Sequence, residues 1–190
     1  MRIITGMARG ARLKTPKGLL TRPTSDRVKE SLFSILGGRV VGRRVLDLFA
    51  GTGSLGLEAL SRGAAFAVFV DRATADIVRD NAEHTKLAGL AQVMRGDVFA
   101  ALSRLSSEGE TFDLVFCDPP YHKGLWERAL TTLDASPLLS EGALVVVECG
   151  EDERELPTLM RLSLAREERY GHTTRICFFT TKTSEQEEME

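Results

Sequence analysis

Apolar positions along this chain switch between two periods, and the switching lays out an order of elements. Residues Arg2–Lys14 hold two short β-prone pieces around Gly6 and Gly10, readable as a small hairpin or an extended arm. Pro16, Gly18 and Pro23 mark Thr15–Pro23 as a loop. Thr24 or Ser25 can then cap a helix whose apolar residues Val28, Leu32, Phe33, Ile35 and Leu36 recur at helical spacing until Gly37-Gly38 ends it. From residue 44 onward, strand-like runs alternate with helical ones. Strands are expected at Val45–Phe49, Ala67–Val70, Ala91–Arg95, Phe112–Cys117 and Ala143–Glu148. Helices are expected at Leu55–Arg62, Thr74–Leu87, Val98–Leu105 and Leu125–Leu133. Ser163–Thr181 reads as two strands joined near Tyr170-Gly171-His172. Strands separated by helices imply βαβ units, so the expected fold is α/β, with a mostly parallel sheet, helices on both faces and a C-terminal antiparallel hairpin. The expected organisation is a basic N-terminal arm and helix over 1–40, a core over 41–182 and a frayed acidic tail over 183–190.

The composition narrows the class. At 190 residues and 20.9 kDa one hydrophobic core is the default, and 43% hydrophobic with 27% charged residues argues against a disordered chain. No apolar run approaches a membrane span, and Met1–Gly6 begins no signal peptide. Cys117, Cys149 and Cys177 lie far apart with no C-x-x-C pair, so no disulfide framework or zinc site is signalled. The expectation is a reduced, cytoplasmic protein without a metal. The net charge of −2 conceals a polarity: residues 1–44 hold eleven basic and two acidic residues, leaving an excess of eleven negative charges on the remainder. A basic arm on an acidic body suits a chain that meets phosphates with one end. Arg9, Arg12 and Lys14 are read as a phosphate-contacting hairpin. Arg22, Thr24 and Arg27 flank a helix start that can hold a cofactor carboxylate or an RNA phosphate.

Candidate chemistry begins at Asp47-Leu48-Phe49-Ala50-Gly51-Thr52-Gly53-Ser54-Leu55-Gly56, where a strand turns into a helix. Glycines permit the tight turn and let a ligand approach the backbone, while amides at the helix start face it. Asp71 ends the next strand, where a carboxylate can accept ribose hydroxyls. The pattern therefore suits either a dinucleotide or S-adenosylmethionine. Asp47 favours the latter, since a carboxylate in the turn repels a pyrophosphate but pairs with the methionine ammonium. Asp97, at the end of the third strand, can accept from an adenine amino group or simply cap a helix. The cofactor set is thus Asp47, Ala50, Gly51, Thr52, Gly53, Gly56, Asp71, Arg72, Asp97 and Val98, with Asp118 reaching it from the next motif.

That motif is Asp118-Pro119-Pro120-Tyr121, after an apolar strand. Two prolines stiffen the loop and remove two donors. An exocyclic amine needs acceptors for its N–H groups, here Asp118 Oδ and the Pro119 carbonyl, and a ring such as Tyr121 on which its base stacks. Held in this way, a delocalised amine can pyramidalise and meet an electrophilic methyl. Asp118, Pro119, Pro120 and Tyr121 are the expected catalytic residues. His122 beside them invites a general-base role that this chemistry does not need, and Trp126 is read as helix-face core.

Asp47–Gly56, Asp71, Asp97 and Asp118–Tyr121, in this order, resemble a Rossmann-like class I S-adenosylmethionine-dependent methyltransferase that modifies an exocyclic nitrogen. Arg22–Phe33 and Gly56–Ala64 resemble, more narrowly, the RsmD family. The resemblance spans roughly residues 2–181, departing only in the acidic tail and in Tyr121, where some members carry an equivalently stacking Phe. It implies methylation of N2 of a guanine in bacterial small-subunit (16S) ribosomal RNA, within a subunit or assembly particle, and a role for Arg22, Thr24 and Arg27 at the active-site mouth. Other readings stay open on the residues alone: DNA adenine-N6 methylation, protein glutamine methylation, a nicotinamide-dependent oxidoreductase, or an RNA-binding module without catalysis.

Overall fold

A computed structural model describes residues 1–16 and 26–181, in two compact units, Met1–Val98 and Phe99–Glu190. Arg22 and Thr24, the loop before them and the acidic tail lie outside the described residues.

In the first unit, strands β1 (Arg44–Leu48), β2 (Phe66–Asp71) and β3 (Ala91–Arg95) run parallel in the order β3-β2-β1. Four of the five β1 residues and four of the six in β2 are buried, as a strand covered on both faces requires. Helix α1 (Asp26–Leu36) buries Lys29, Leu32, Phe33 and Leu36, one face at helical spacing. Helix α2 (Ser54–Ser61) returns the chain from β1 to β2, and α3 (Ala75–His84) from β2 to β3. Two of the boundaries that differ from the sequence reading have a backbone cause. Strand β1 stops at Leu48 because Phe49 adopts a positive φ of 58°, which turns the chain toward α2. Helix α3 ends at His84, short of Leu87, because Lys86 takes a left-handed φ of 60°.

The N-terminal segment is a hairpin. Arg2 bridges Arg12, Ile3 N–H donates to the Ala11 carbonyl at 2.9 Å, and Gly10 N–H donates to that of Ile3 at 2.8 Å. It is fastened to α2. Met7 N–H donates to the Ser61 carbonyl at 2.8 Å, and a Cβ on Gly6 would stand 1.8 Å from that oxygen, so only glycine fits there. The fully buried Glu58 accepts the N–H groups of Ile4 and Thr5 at 2.8 and 3.0 Å and pairs with Lys29 at 3.4 Å and Arg62 at 2.8 Å. Lys29, itself fully buried, donates to the Arg2 carbonyl and to Ser54 Oγ. Burial lowers its ammonium pKa, against the opposing pull of Glu58.

Helix α4 (Val98–Ser107) leads into the second unit, which holds β4 (Phe112–Cys117), α5 (Leu125–Asp134), β5 (Leu139–Gly150), β6 (Leu162–Tyr170) and β7 (Thr174–Thr181). Strand β4 is parallel to β5; β5 is antiparallel to β7, and β7 to β6. The order β4-β5-β7-β6 inserts the last strand between its predecessors. Composition explains the placement. Strand β7 (Thr-Arg-Ile-Cys-Phe-Phe-Thr-Thr) is buried at seven of eight positions, whereas Arg166, Glu167, Glu168 and Arg169 charge β6, as an outer strand requires. The start of β6 is held by the buried Asp134 at the end of α5, whose carboxylate accepts the N–H groups of Met160, Arg161 and Leu162 at 2.7, 2.9 and 2.7 Å. The expected fold class is the one observed: mostly parallel strands, intervening helices and a terminal antiparallel hairpin. Among the described residues no helix is long and apolar enough to cross a membrane.

Candidate functional site

The glycine turn in the first unit is assembled by backbone groups around two carboxylates. Ala50 N–H donates to the Val70 carbonyl at 3.1 Å, and Gly53 N–H closes the turn on the Ala50 carbonyl at 2.7 Å. Gly51 and Gly53 hold positive φ values of 58° and 78°. Asp71 accepts Gly51 N–H at 3.0 Å through one oxygen, and the N–H groups of Ala73 and Thr74 at 2.8 and 2.9 Å through the other. It therefore fixes the turn and starts α3 at once. The oxygen that accepts Gly51 N–H retains a lone pair for a further donor such as a hydroxyl.

The glycines divide by role. A Cβ on Gly56 would lie 2.3 Å from the Phe69 ring, and one on Gly53 would lie 3.1 Å from Val78 and 3.3 Å from Leu57. Both positions are small so that helices can approach the chain closely. Around Gly51 the nearest atom to a notional Cβ is the Phe49 carbonyl at 4.0 Å, and around Gly96 there is nothing within 4 Å. At those two positions the backbone stays open to a ligand.

Asp47 is 2% exposed and accepts Gly56 N–H at 2.9 Å. Burial lifts its carboxyl to about 8, the Gly56 hydrogen bond opposing and the charge of Asp71 adding to the rise. A cation brought beside it would restore the carboxylate, whereas a phosphate would raise its pKa further. Arg72 and Asp97, both well exposed, form an ion pair at 3.6 Å, and the buried Val98 opens α4.

Arg9, Arg12, Lys14 and Arg27 are all exposed; Lys14 pairs with Asp80 at 2.9 Å. Sequence reasoning passed over the groups that hold this region: Glu58, Lys29 and the fully buried Asn81. Lys29 was detectable as the one cation on the apolar face of α1. Asn81, an amide on α3 with nothing unusual around it in sequence, was not.

In the second unit, Asp118–Tyr121 leaves the end of β4 with Asp118 and Tyr121 half-buried, Pro119 buried and Pro120 exposed. Tyr121 is anchored in a way the sequence did not reveal. Its hydroxyl donates to Glu148 Oε1 at 2.7 Å on β5 and lies 3.2 Å from Thr174 Oγ1 on β7. Burial and the adjacent Glu148 carboxylate raise the phenol pKa, so the ring stays neutral. The equivalence of Tyr and Phe here thus extends to stacking only. His122 is exposed, holds a positive φ of 59° and gives its N–H to Glu153 Oε1 at 3.0 Å. The same Glu153 carboxylate accepts Gly150 N–H at 2.8 Å, so the loop's exit is tied to the end of β5. Trp126 is buried, as expected.

The chain is similar to known proteins over nearly its whole length. The family model for conserved hypothetical protein 95 matches residues 1–179. Bacillus subtilis YlbH is 43% identical over 176 residues, 91% of this chain and 95% of that protein. Ribosomal RNA small subunit methyltransferase D of Escherichia coli K12 is 42% identical over 174 residues, 90% of this chain and 85% of that one. The solved structure of Escherichia coli yhhF superposes with a TM-score of 0.82 at 40% identity, covering 96% of this chain and 98% of that chain.

Proposed function

This chain belongs to the conserved hypothetical protein 95 family, whose relatives here are RsmD-like, and on that premise we propose that it is an S-adenosylmethionine-dependent methyltransferase of small-subunit ribosomal RNA, acting on the exocyclic N2 of a guanine. The observation that carries the reading is the buried Asp47, lifted to about 8 inside a glycine turn whose Gly51 face is open. That set of acceptors suits a ligand with a cationic head and ribose hydroxyls, and it disfavours a pyrophosphate.

The residues fit the cofactor. Asp47 would face its ammonium, Asp71 its ribose, Asp97 and Val98 its base, and the Ala50–Gly53 turn would line its amino-acid end. When bound, S-adenosylmethionine supplies an electrophilic methyl group on sulfonium sulfur.

The chain's own contribution is orientation. Asp118 Oδ accepts one N–H of the guanine amine and the Pro119 carbonyl the other, which favours a pyramidal nitrogen with its lone pair directed outward. Pro119 and Pro120 limit loop motion. The Tyr121 ring stacks on the base, and its hydroxyl, held by Glu148 and Thr174, keeps the ring plane from turning. After transfer the alkylated amine is strongly acidic and passes its proton to Asp118 or water. Placement of this kind is worth up to about 7–11 kcal/mol of barrier. Arg9, Arg12 and Lys14, with Arg22, Thr24 and Arg27, would carry the RNA backbone.

The test is transfer of labelled methyl from S-adenosylmethionine to undermethylated small subunits, to their naked RNA and to genomic DNA, with the modified base mapped. Label on N2 of one guanine in the small-subunit RNA is expected. Label confined to adenine N6 in DNA would overturn the substrate, and the absence of S-adenosylhomocysteine binding would overturn the reaction.

A further inference from the structure

The basic arm and the glycine turn share one side chain. Asn81 on α3 is fully buried, and three of the four hydrogen-bonding positions of its amide are filled. Its Oδ1 accepts Lys14 N–H at 2.7 Å; its Nδ2 donates to the Lys14 carbonyl at 3.1 Å and to the Thr52 carbonyl at 2.9 Å. Lys14 is thereby held at both backbone groups, as a strand partner would hold it. Thr52 lies between Gly51 and Gly53 and cannot rotate its carbonyl without losing the same amide. Two further contacts follow the same path: Thr52 Oγ1 lies 3.1 Å from Met1 Sδ, and Asp80, next to Asn81, pairs with the Lys14 ammonium at 2.9 Å. No other side chain of this size offers an acceptor and two donors together, so neither Asp nor Leu reproduces the connection.

We propose that Asn81 is a positioning residue that couples occupation of the glycine turn to phosphate binding by the arm, an inference resting on the function proposed above. A ligand that fixes the Thr52 peptide holds the Asn81 amide in place, and the amide in turn holds the backbone of Lys14 between Arg12 and the segment that follows. The coupling is reciprocal: whatever factor the cofactor contributes to RNA affinity, RNA contributes to cofactor affinity.

Two measurements on the full chain test it, with S-adenosylhomocysteine and a small-subunit ribosomal RNA transcript as probes. In the unaltered protein, saturating S-adenosylhomocysteine should slow hydrogen exchange at the Lys14 amide and tighten transcript binding by about fivefold or more. In Asn81→Ala the ratio of transcript affinities with and without S-adenosylhomocysteine should fall to near one. A packing role alone would lower the melting temperature and leave that ratio intact. An unchanged ratio in a folded Asn81→Ala protein, or bound S-adenosylhomocysteine with no effect on Lys14 exchange, overturns the coupling while leaving the proposed function standing. If Asn81→Ala does not fold, the exchange measurement on the unaltered protein decides alone. Calorimetry that finds no S-adenosylhomocysteine binding removes the proposed function, and the coupling with it.

Discussion

The glycine turn and the Asp118–Tyr121 loop are held by different kinds of bond. In the turn, carboxylates are satisfied by backbone amides: Asp71 by Gly51, Ala73 and Thr74, and Asp47 by Gly56. In the loop, the functional ring is held by other side chains, Glu148 and Thr174. Backbone-held groups are part of the fold, so their removal should weaken ligand binding and stability together. Side-chain-held groups are adjustable, so their removal should reduce turnover and leave the fold intact.

The largest effect expected from this contrast is at Asp118. Asp118→Ala should lower kcat by about 10²- to 10³-fold, the usual loss of one positioned polar contact, with S-adenosylhomocysteine affinity nearly unchanged in calorimetry. A parallel loss of affinity would blur the two regions into one. Next comes Asp71→Ala, which should weaken S-adenosylhomocysteine binding about 10- to 100-fold, matching about 1.5–3 kcal/mol for a hydrogen bond to a charged group. It should also lower the melting temperature, since three amides lose their acceptor. Tyr121→Phe keeps the stacking ring and loses its anchor. A fall in kcat of about fivefold, near 1 kcal/mol, with an unchanged melting temperature is the expected result. An unchanged kcat would show that stacking needs no anchor.

The smallest effect concerns protons at Asp47. With its carboxyl at about 8 in the folded chain, Asp47 is mostly protonated at neutral pH, and pairing with a cationic ammonium would ionise it. Binding of S-adenosylhomocysteine at pH 7 should release close to one proton, measured by calorimetry in buffers of different ionisation enthalpy. The folded pKa is raised above the unfolded one, so this group's contribution to stability is full below about pH 4 and is lost as pH rises through about 8. Asp47→Asn should flatten that part of the stability profile and abolish the proton release.

Much of this architecture was legible along the chain because its signals are local. The 112–117 strand and the 125–133 helix were read within a residue of their observed limits, since apolar spacing is a property of neighbours. Strand β5 was read short at Ala143–Glu148; it begins at Leu139 because Leu139 pairs with Phe112, a contact hidden behind the polar Ser140-Glu141-Gly142. The Asp-Pro-Pro-Tyr motif named its own chemistry, but the tyrosine's partners lie 27 and 53 residues away and carry no pattern.

What the sequence determined by itself was the alternation of strands and helices, the positive-φ glycine turn, the stiff proline loop and the charge polarity between arm and body. All of these depend on bond rotations and spacings within a few residues. Tertiary structure alone decided that β7 lies between β5 and β6, that Lys29 and Glu58 are buried as a pair, and that Asn81 joins Lys14 to Thr52. A buried polar group is tolerable only with its partners in place, and those partners come from segments that only the folded chain brings together.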